Sequence, residues 1–164
     1  MNYYQTDIDN LIAFDTNTFL AGNINKAEIK GLEIISETTV DQWDINLTLS
    51  YTDPVNKSAA NYGKQLVARA KQAMNLQLLR DFGKFSFGAS LLAQSEHFTT
   101  ADNSESVAGY GVLDSVVSYN FTQEMKLSAN LTNILDKDYV INEGFGDTYN
   151  TLGRSLFINL SYNM

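Results

Sequence analysis

Apolar residues recur at every second position through most of this chain, and that period limits its fold more than any other feature. In "SLFINLSYNM", residues 155–164, one parity reads Leu156, Ile158, Leu160, Tyr162 and Met164. The other reads Phe157, Asn159, Ser161 and Asn163. "DINLTLSYTD" (44–53), "KFSFGASLLAQ" (84–94), "KLSANLTN" (126–133), "MNLQLL" (74–79) and "GVLDSVVSYN" (111–120) repeat the pattern. Two less regular segments, near 2–14 and 26–40, bring the expected strands to eight. Each has an apolar face and a face dominated by Asn, Ser, Thr and Gln.

The connections sharpen the reading. Three are tight: "DQW" at 41–43, "DFG" at 81–83 and "FTQEM" at 121–125. Four are long, near 15–24, 53–68, 95–110 and 138–150, and long and short alternate. An antiparallel meander then carries every long loop at one end, as outer-membrane barrels do. The polar parity suits a water-filled or plugged lumen, whereas a soluble barrel turns its apolar side inward. Aromatic residues at strand ends (Tyr51, Phe82, Phe85, Tyr119, Phe121, Tyr139, Tyr162) fit interfacial girdles. Closure would satisfy every backbone group in lipid, which an open sheet does not. The expected class is all-β: an antiparallel transmembrane β-barrel meander of about eight strands.

Composition removes other classes. A net charge of −8 without a basic stripe argues against nucleic acid, and no Lys/Arg cluster recommends an anionic membrane surface. With no Cys there is no disulfide framework and no thiolate metal site. The sole His, His97, flanked by Glu96 and Phe98, reads as an exposed loop residue rather than a metal ligand or a catalytic base. The acidic positions Asp102 and Glu105, and the pair Glu143 and Asp147, read as solvated loops before they read as Ca²⁺ ligands. No Gly-rich phosphate cradle precedes a helix, so neither an enzyme nor a cofactor is expected. The opening "MNYYQTDIDN" lacks the character of a signal peptide.

Two motifs carry a family resemblance. "NLTNILDKDY" (130–139), a loop, and "TLGRSLFINLSYNM" (151–164) resemble the C-terminal end of TonB-dependent outer-membrane receptors. The matching residues are Asn133, Ile134, Leu135, Asp136, Lys137, Asp138 and Tyr139, then Gly153 and Arg154. Upstream, "NINKAEIKGLEI" (23–34) is similar to a strand of the same family, with Lys26, Ala27, Ile29, Gly31 and Glu33 in register.

The resemblance implies that residues 1–164 are the C-terminal part of a 22-stranded barrel, without its plug domain, signal peptide and energy-coupling segment. TonB would then engage only through that missing N-terminal region. It implies an outer-membrane receptor, bedded in lipid, for a scarce small-molecule nutrient such as a ferric siderophore or vitamin B12. In such proteins the outward parity of the last strand (Leu156, Ile158, Leu160, Tyr162, Met164) signals to the barrel-assembly machinery. Met164 stands where Phe or Trp is usual, so a weaker signal is expected. Aromatic loop residues (Phe19, Tyr62, Phe98, Tyr110, Phe145, Tyr149) are candidates for ligand contact and equally for loop packing. Two alternatives stay open: a self-contained eight-stranded barrel with a structural or adhesive role, and a soluble β-sandwich.

Overall fold

The computed structural model describes residues 1–15, 20–144 and 147–163. Eight strands form one antiparallel sheet: β1 (Asn2–Asp15), β2 (Leu20–Val40), β3 (Trp43–Asn56), β4 (Gln72–Asp81), β5 (Phe85–Gln94), β8 (Tyr110–Asn120), β9 (Met125–Thr132) and β12 (Ser155–Tyr162). Their order in the sheet is their order in the chain. Two short ribbons, β6 (His97–Phe98) with β7 (Ser106–Val107) and β10 (Val140–Gly144) with β11 (Asp147–Asn150), lie in the long connections. Among the described residues β1 and β12 each pair on one side only, so the sheet is an open stretch of wall.

Register makes the wall two-faced. Leu47 pairs with Leu76, Leu76 with Leu91, and Leu91 with Leu113. Further along, Val117 pairs with Ala129 and Ala129 with Ile158. In the other direction Leu49 meets Ile34, and Leu32 meets Tyr3. Directly paired residues point to the same side, so the apolar parities of the seven strands from β2 to β12 in the sheet merge into one surface, which β1 joins at Tyr3. The other side collects Asn46, Gln77 and Ser90 in one row, and Ser86, Ser118 and Ser128 in another. There the hydroxyls of Ser118 and Ser128 are 3.2 Å apart. A concavity of about 390 Å³ opens on this polar side, lined by Gln77, Gly88, Ser90, Asp114 and Asn130 among others.

Among the described residues no protein layer covers the apolar surface. The buried hydrophobic residues are Ala27, Leu66, Val107 and Val112, with Pro54 fully buried, and none belongs to the apolar face of the wall. Leu156, Ile158, Leu160 and Tyr162 are 60–69% exposed. The chain exposes 10732 Å², against about 8,100 Å² for a compact soluble monomer of its mass. A soluble sandwich would bury this face against a second sheet. Here the apolar face needs an apolar solvent. From Trp43 to Tyr51 it is nine residues tall, matching the roughly 9–11 residues with which a strand crosses a bilayer.

Charge and aromatic rings mark both ends of the band. At the long-loop end Lys30 stands opposite Asp53, and Lys71 reaches Asp53 at 2.8 Å. At the turn end lie Trp43, Phe82, Phe85 and Phe87, with Tyr119 edge-on to Phe121 at 5.0 Å. The turns there are as tight as their sequences require. Asp41 and Gln42 both have positive φ (46° and 67°), the two-residue hairpin turn whose twist suits its strands.

The first long connection differs from expectation. Strands β1 and β2 continue pairing through Asp15 and Leu20, where a loop over 15–24 is predicted. Hydropathy gives no strand signal here because apolar residues run consecutively (Leu11, Ile12, Ala13, Phe14) instead of alternating, beside polar Asp9, Asn10, Asn23 and Lys26. Backbone pairing continues without an apolar stripe to announce it. From Lys30 to Leu20 the ribbon rises roughly 33 Å at 3.3 Å per residue.

The face assignment is testable by one pair of substitutions. Leu76→Arg, mid-band on the apolar side, should cost about 2–4 kcal/mol of folding free energy in a bilayer. Gln77→Arg, one residue along on the polar side, should cost under about 1 kcal/mol. Urea unfolding from lipid vesicles measures both, and equal losses would refute the assignment.

Candidate functional site

The segment 133–139 fastens the end of the wall. Asn133 closes β9 with φ 49° and is 3% exposed. Its amide donates to Lys137 O at 2.9 Å and Leu152 O at 3.3 Å, while its carbonyl oxygen accepts the Lys137 N–H at 2.9 Å. The Asn133 backbone N–H donates to Asp114 Oδ1 at 2.7 Å, and the Ile134 N–H to Leu113 O. One residue therefore joins the ends of β8 and β9 to the return of the last loop. Asn tolerates the left-handed backbone and carries both donor and acceptor, which few side chains combine.

Asp136 extends the clasp to the start of β12. The Arg154 N–H donates to Asp136 Oδ1 at 2.8 Å, and the guanidinium lies 3.7 Å from Oδ2. A Cβ at Gly153 would stand 3.1 Å from that same Oδ1, so the smallest residue lets the loop close on the carboxylate. Lys137 contributes through its backbone. Tyr139 stacks on Tyr110 with centroids 4.4 Å apart. Tyr110 shares the polar parity of the wall, pairing with Gln94, so this ring faces the inner side rather than the lipid.

The upstream motif is also a close-packing device. Gly31 pairs with Tyr4, whose ring lies across it; a Cβ at Gly31 would fall inside that ring. Ala27, Ile29, Gly31 and Glu33 share the polar parity, and Ala27 is buried. The backbone of Lys26 receives the next loop, accepting from Lys57 N–H and exchanging bonds with Ser58 Oγ.

Above the band the long connections have a core of their own. The 57–71 segment bonds back to β3, with Leu66 N–H donating to Pro54 O. It is tied to the next loop by a reciprocal pair, Gln65 N–H to Asn103 Oδ1 at 2.8 Å and Asn103 Nδ2 to Gln65 O at 3.0 Å. The Ala68 N–H donates to Phe98 O. His97, Thr100 and Val107 are buried under this cap. His97 thus departs from the exposed position expected of it, because the pairing of β6 with β7 folds its loop inward. Of the candidate contact residues, Tyr62 is 69% and Tyr149 54% exposed, and Phe98 is half-buried. Tyr62 has Lys57 Nζ above its ring at 5.8 Å. Phe19, Phe145 and Met164 lie outside the described residues.

With this geometry in view, comparison with known proteins is decisive. The family model described as "TonB dependent receptor-like, beta-barrel" matches residues 1–134. The chain belongs to that family. It is 25% identical over 166 residues to the vitamin B12 transporter BtuB of Photobacterium profundum, covering 97% of this chain and 26% of the transporter. The siderophore receptor PiuA of Acinetobacter baumannii superposes with TM-score 0.81 at 20% identity, over 96% of this chain and 25% of the receptor. The pyoverdine receptor FpvA of Pseudomonas aeruginosa PAO1 gives 0.79 at 17% identity, over 99% of this chain and 26% of FpvA. The chain thus spans about a quarter of the length of these relatives.

A TonB-dependent receptor wall has no need of clustered acids or bases, and the ionisable groups in the cap serve its architecture. Asp102 Oδ1 accepts from Ser104 Oγ at 2.8 Å and Ser104 N at 3.2 Å, closing its own loop. The Ser104 hydroxyl, then Thr100 and the Ser104 amide, hold this carboxyl below the ordinary Asp range. Its contribution to loop order is therefore complete above the ordinary Asp pKa and lost as pH falls through the depressed one. Protection of the Ser104 amide from hydrogen exchange should decline only below about pH 4, and Asp102→Asn should abolish that pH dependence.

The clasp predicts a larger effect. Asn133→Ala removes both partners of buried backbone groups and places Ala in a left-handed position. A loss of roughly 2–4 kcal/mol is expected in urea unfolding, with faster amide exchange at Lys137. Asp136→Asn keeps an acceptor for the Arg154 N–H and should cost under about 1 kcal/mol.

Proposed function

We propose that residues 1–164 form the C-terminal part of the barrel of an active importer, which takes up a scarce, bulky nutrient through the bacterial outer membrane. Membership of the TonB-dependent receptor family carries this reading. The uncovered apolar face supports the lipid setting, and the relatives, named as transporters and receptors, support transport rather than catalysis. Contact with TonB is assigned to polypeptide outside these 164 residues, as is the plug. Ferric siderophores and vitamin B12 are the cargo classes proposed, following the relatives' names.

Roles divide by position. Tyr62, Phe98, Tyr110 and Tyr149 are proposed to meet the nutrient at the long-loop end, together with Phe145. The outward parity of the last strand, Leu156, Ile158, Leu160, Tyr162 and Met164, is proposed as the signal to the barrel-assembly machinery. Closure of these eight strands on themselves is opposed by the unpaired outer edges of β1 and β12.

Uptake tests the reading. The complete polypeptide containing this chain, produced in a bacterium stripped of its own receptors, should import radiolabelled cyanocobalamin or a ferric siderophore. Import should saturate and stop when an uncoupler dissipates the proton-motive force. Substitution of Tyr62 and Tyr149 by Ala should weaken ligand binding roughly tenfold, the loss of about 1.4 kcal/mol at an aromatic contact. Uptake that continues unchanged with the uncoupler would overturn energy-coupled import.

A further inference from the structure

We propose that Arg80, held between Trp43 and Phe82 at the turn end of the apolar face, binds the phosphate of an anionic phospholipid headgroup. Arg80 pairs with Trp43 on one side and Phe87 on the other, so it shares the lipid-facing parity of Leu76 and Leu78. Its guanidinium lies 4.8 Å from the Phe82 ring centroid and 5.4 Å from that of Trp43. The two rings stand edge-on to one another at 6.5 Å. Such a cradle fixes the guanidinium plane and anchors the aliphatic stem among apolar neighbours.

What the cradle leaves open is the charge. Lys71, Lys57 and Lys30, at the other end of the wall, each have a carboxylate within 2.8–3.2 Å. The nearest carboxylate recorded for Arg80 is Asp41 at 3.9 Å, on a turn where the Asp side chain is 84% exposed. The Arg80 side chain is still 21% exposed, while its Nε is buried. The terminal nitrogens are thus its remaining donors, presented at the level of an aromatic girdle. The edge formed by its two terminal nitrogens can take a phosphate oxygen pair in a geometry that water does not match. A headgroup phosphate lies at that level of a bilayer, beside the rings that mark its interface. No cluster of basic residues is involved, which is why charge patterning along the sequence does not reveal the site.

Trp43 is the single tryptophan of the chain and lies against Arg80, so it reports on the site directly. The complete polypeptide is reconstituted in vesicles with any tryptophan outside these 164 residues replaced by phenylalanine. Quenching of Trp43 is compared between dibrominated phosphatidylglycerol and dibrominated phosphatidylcholine. The anionic lipid should be preferred roughly fivefold, the effect of one interfacial cation, and the preference should shrink as salt rises. Arg80→Gln should bring the ratio to about one, and Arg80→Lys should keep part of it. Asp41→Asn, at an exposed turn position that tolerates Asn, should raise it. Free inorganic phosphate at matched ionic strength should compete no better than chloride; efficient competition would make this a site for the free anion and overturn the lipid assignment. Equal quenching by the two lipids, or a preference that survives Arg80→Gln, would also overturn the proposal. Quenching by neither would do so too, and would additionally refute the lipid-facing assignment of this end of the wall.

Discussion

Backbone pairing in register is the constraint on which everything else in this chain depends. Side chains alternate with period two, so a slip of one residue in any ladder would send a whole strand's apolar set to the wrong side. Six consecutive ladders hold Ile34, Leu49, Met74, Leu91, Leu113, Leu131 and Leu156 on one side. In lipid such a slip is severe twice over, since it exposes polar side chains to hydrocarbon and leaves the lumen greasy. The tight turns help to set the count. Asp41 and Gln42 leave no spare residue between β2 and β3, and the Asp81 carboxylate ties down the Gly83 N–H in the next turn.

The hydrophobic effect acts here in a divided way. Within the band, apolar side chains face outward and contribute little to a protein core. The small core that the protein does build sits above the band, where Pro54, Leu66 and Val107 are buried beneath folded loops. That distribution reverses a soluble domain. It explains why the loops at the long end need internal hydrogen bonding, as between Gln65 and Asn103. Standing in water without a sheet beneath them, they must order themselves.

Alternation made six of the eight wall strands legible with their faces, because their polar and apolar parities are distinct. Legibility fails where the physical signal is absent. From Leu11 to Phe14 apolar residues run consecutively instead of alternating, so the extension of the first hairpin has no period-two mark. His97 is buried by a two-residue ribbon too short to leave a period. Trp43 and Arg80 were hidden for another reason. A charge at a strand end resembles a boundary, and only the register shows that this one shares a face with Leu76 and Leu78. The motif 133–139 was visible as a pattern but not as a device. Nothing in "NILDKDY" indicates that Asn133 would reach 19 residues ahead to Leu152.

That device bears on what the family likeness can convey. Asn133, Asp136, Gly153 and Arg154 spend their polar groups on one another and on nearby backbone, and Gly31 is filled by Tyr4. Residues committed in this way set where β9 ends and β12 begins. They fix the geometry of this part of the wall, on which structures under a quarter identical in sequence superpose closely. Tyr62 and Tyr149, exposed at the long-loop end, are not committed in this way. The residues that fasten the wall and the aromatic residues exposed on the cap are separate sets, so a change at Tyr62 or Tyr149 leaves the clasp around Asn133 intact.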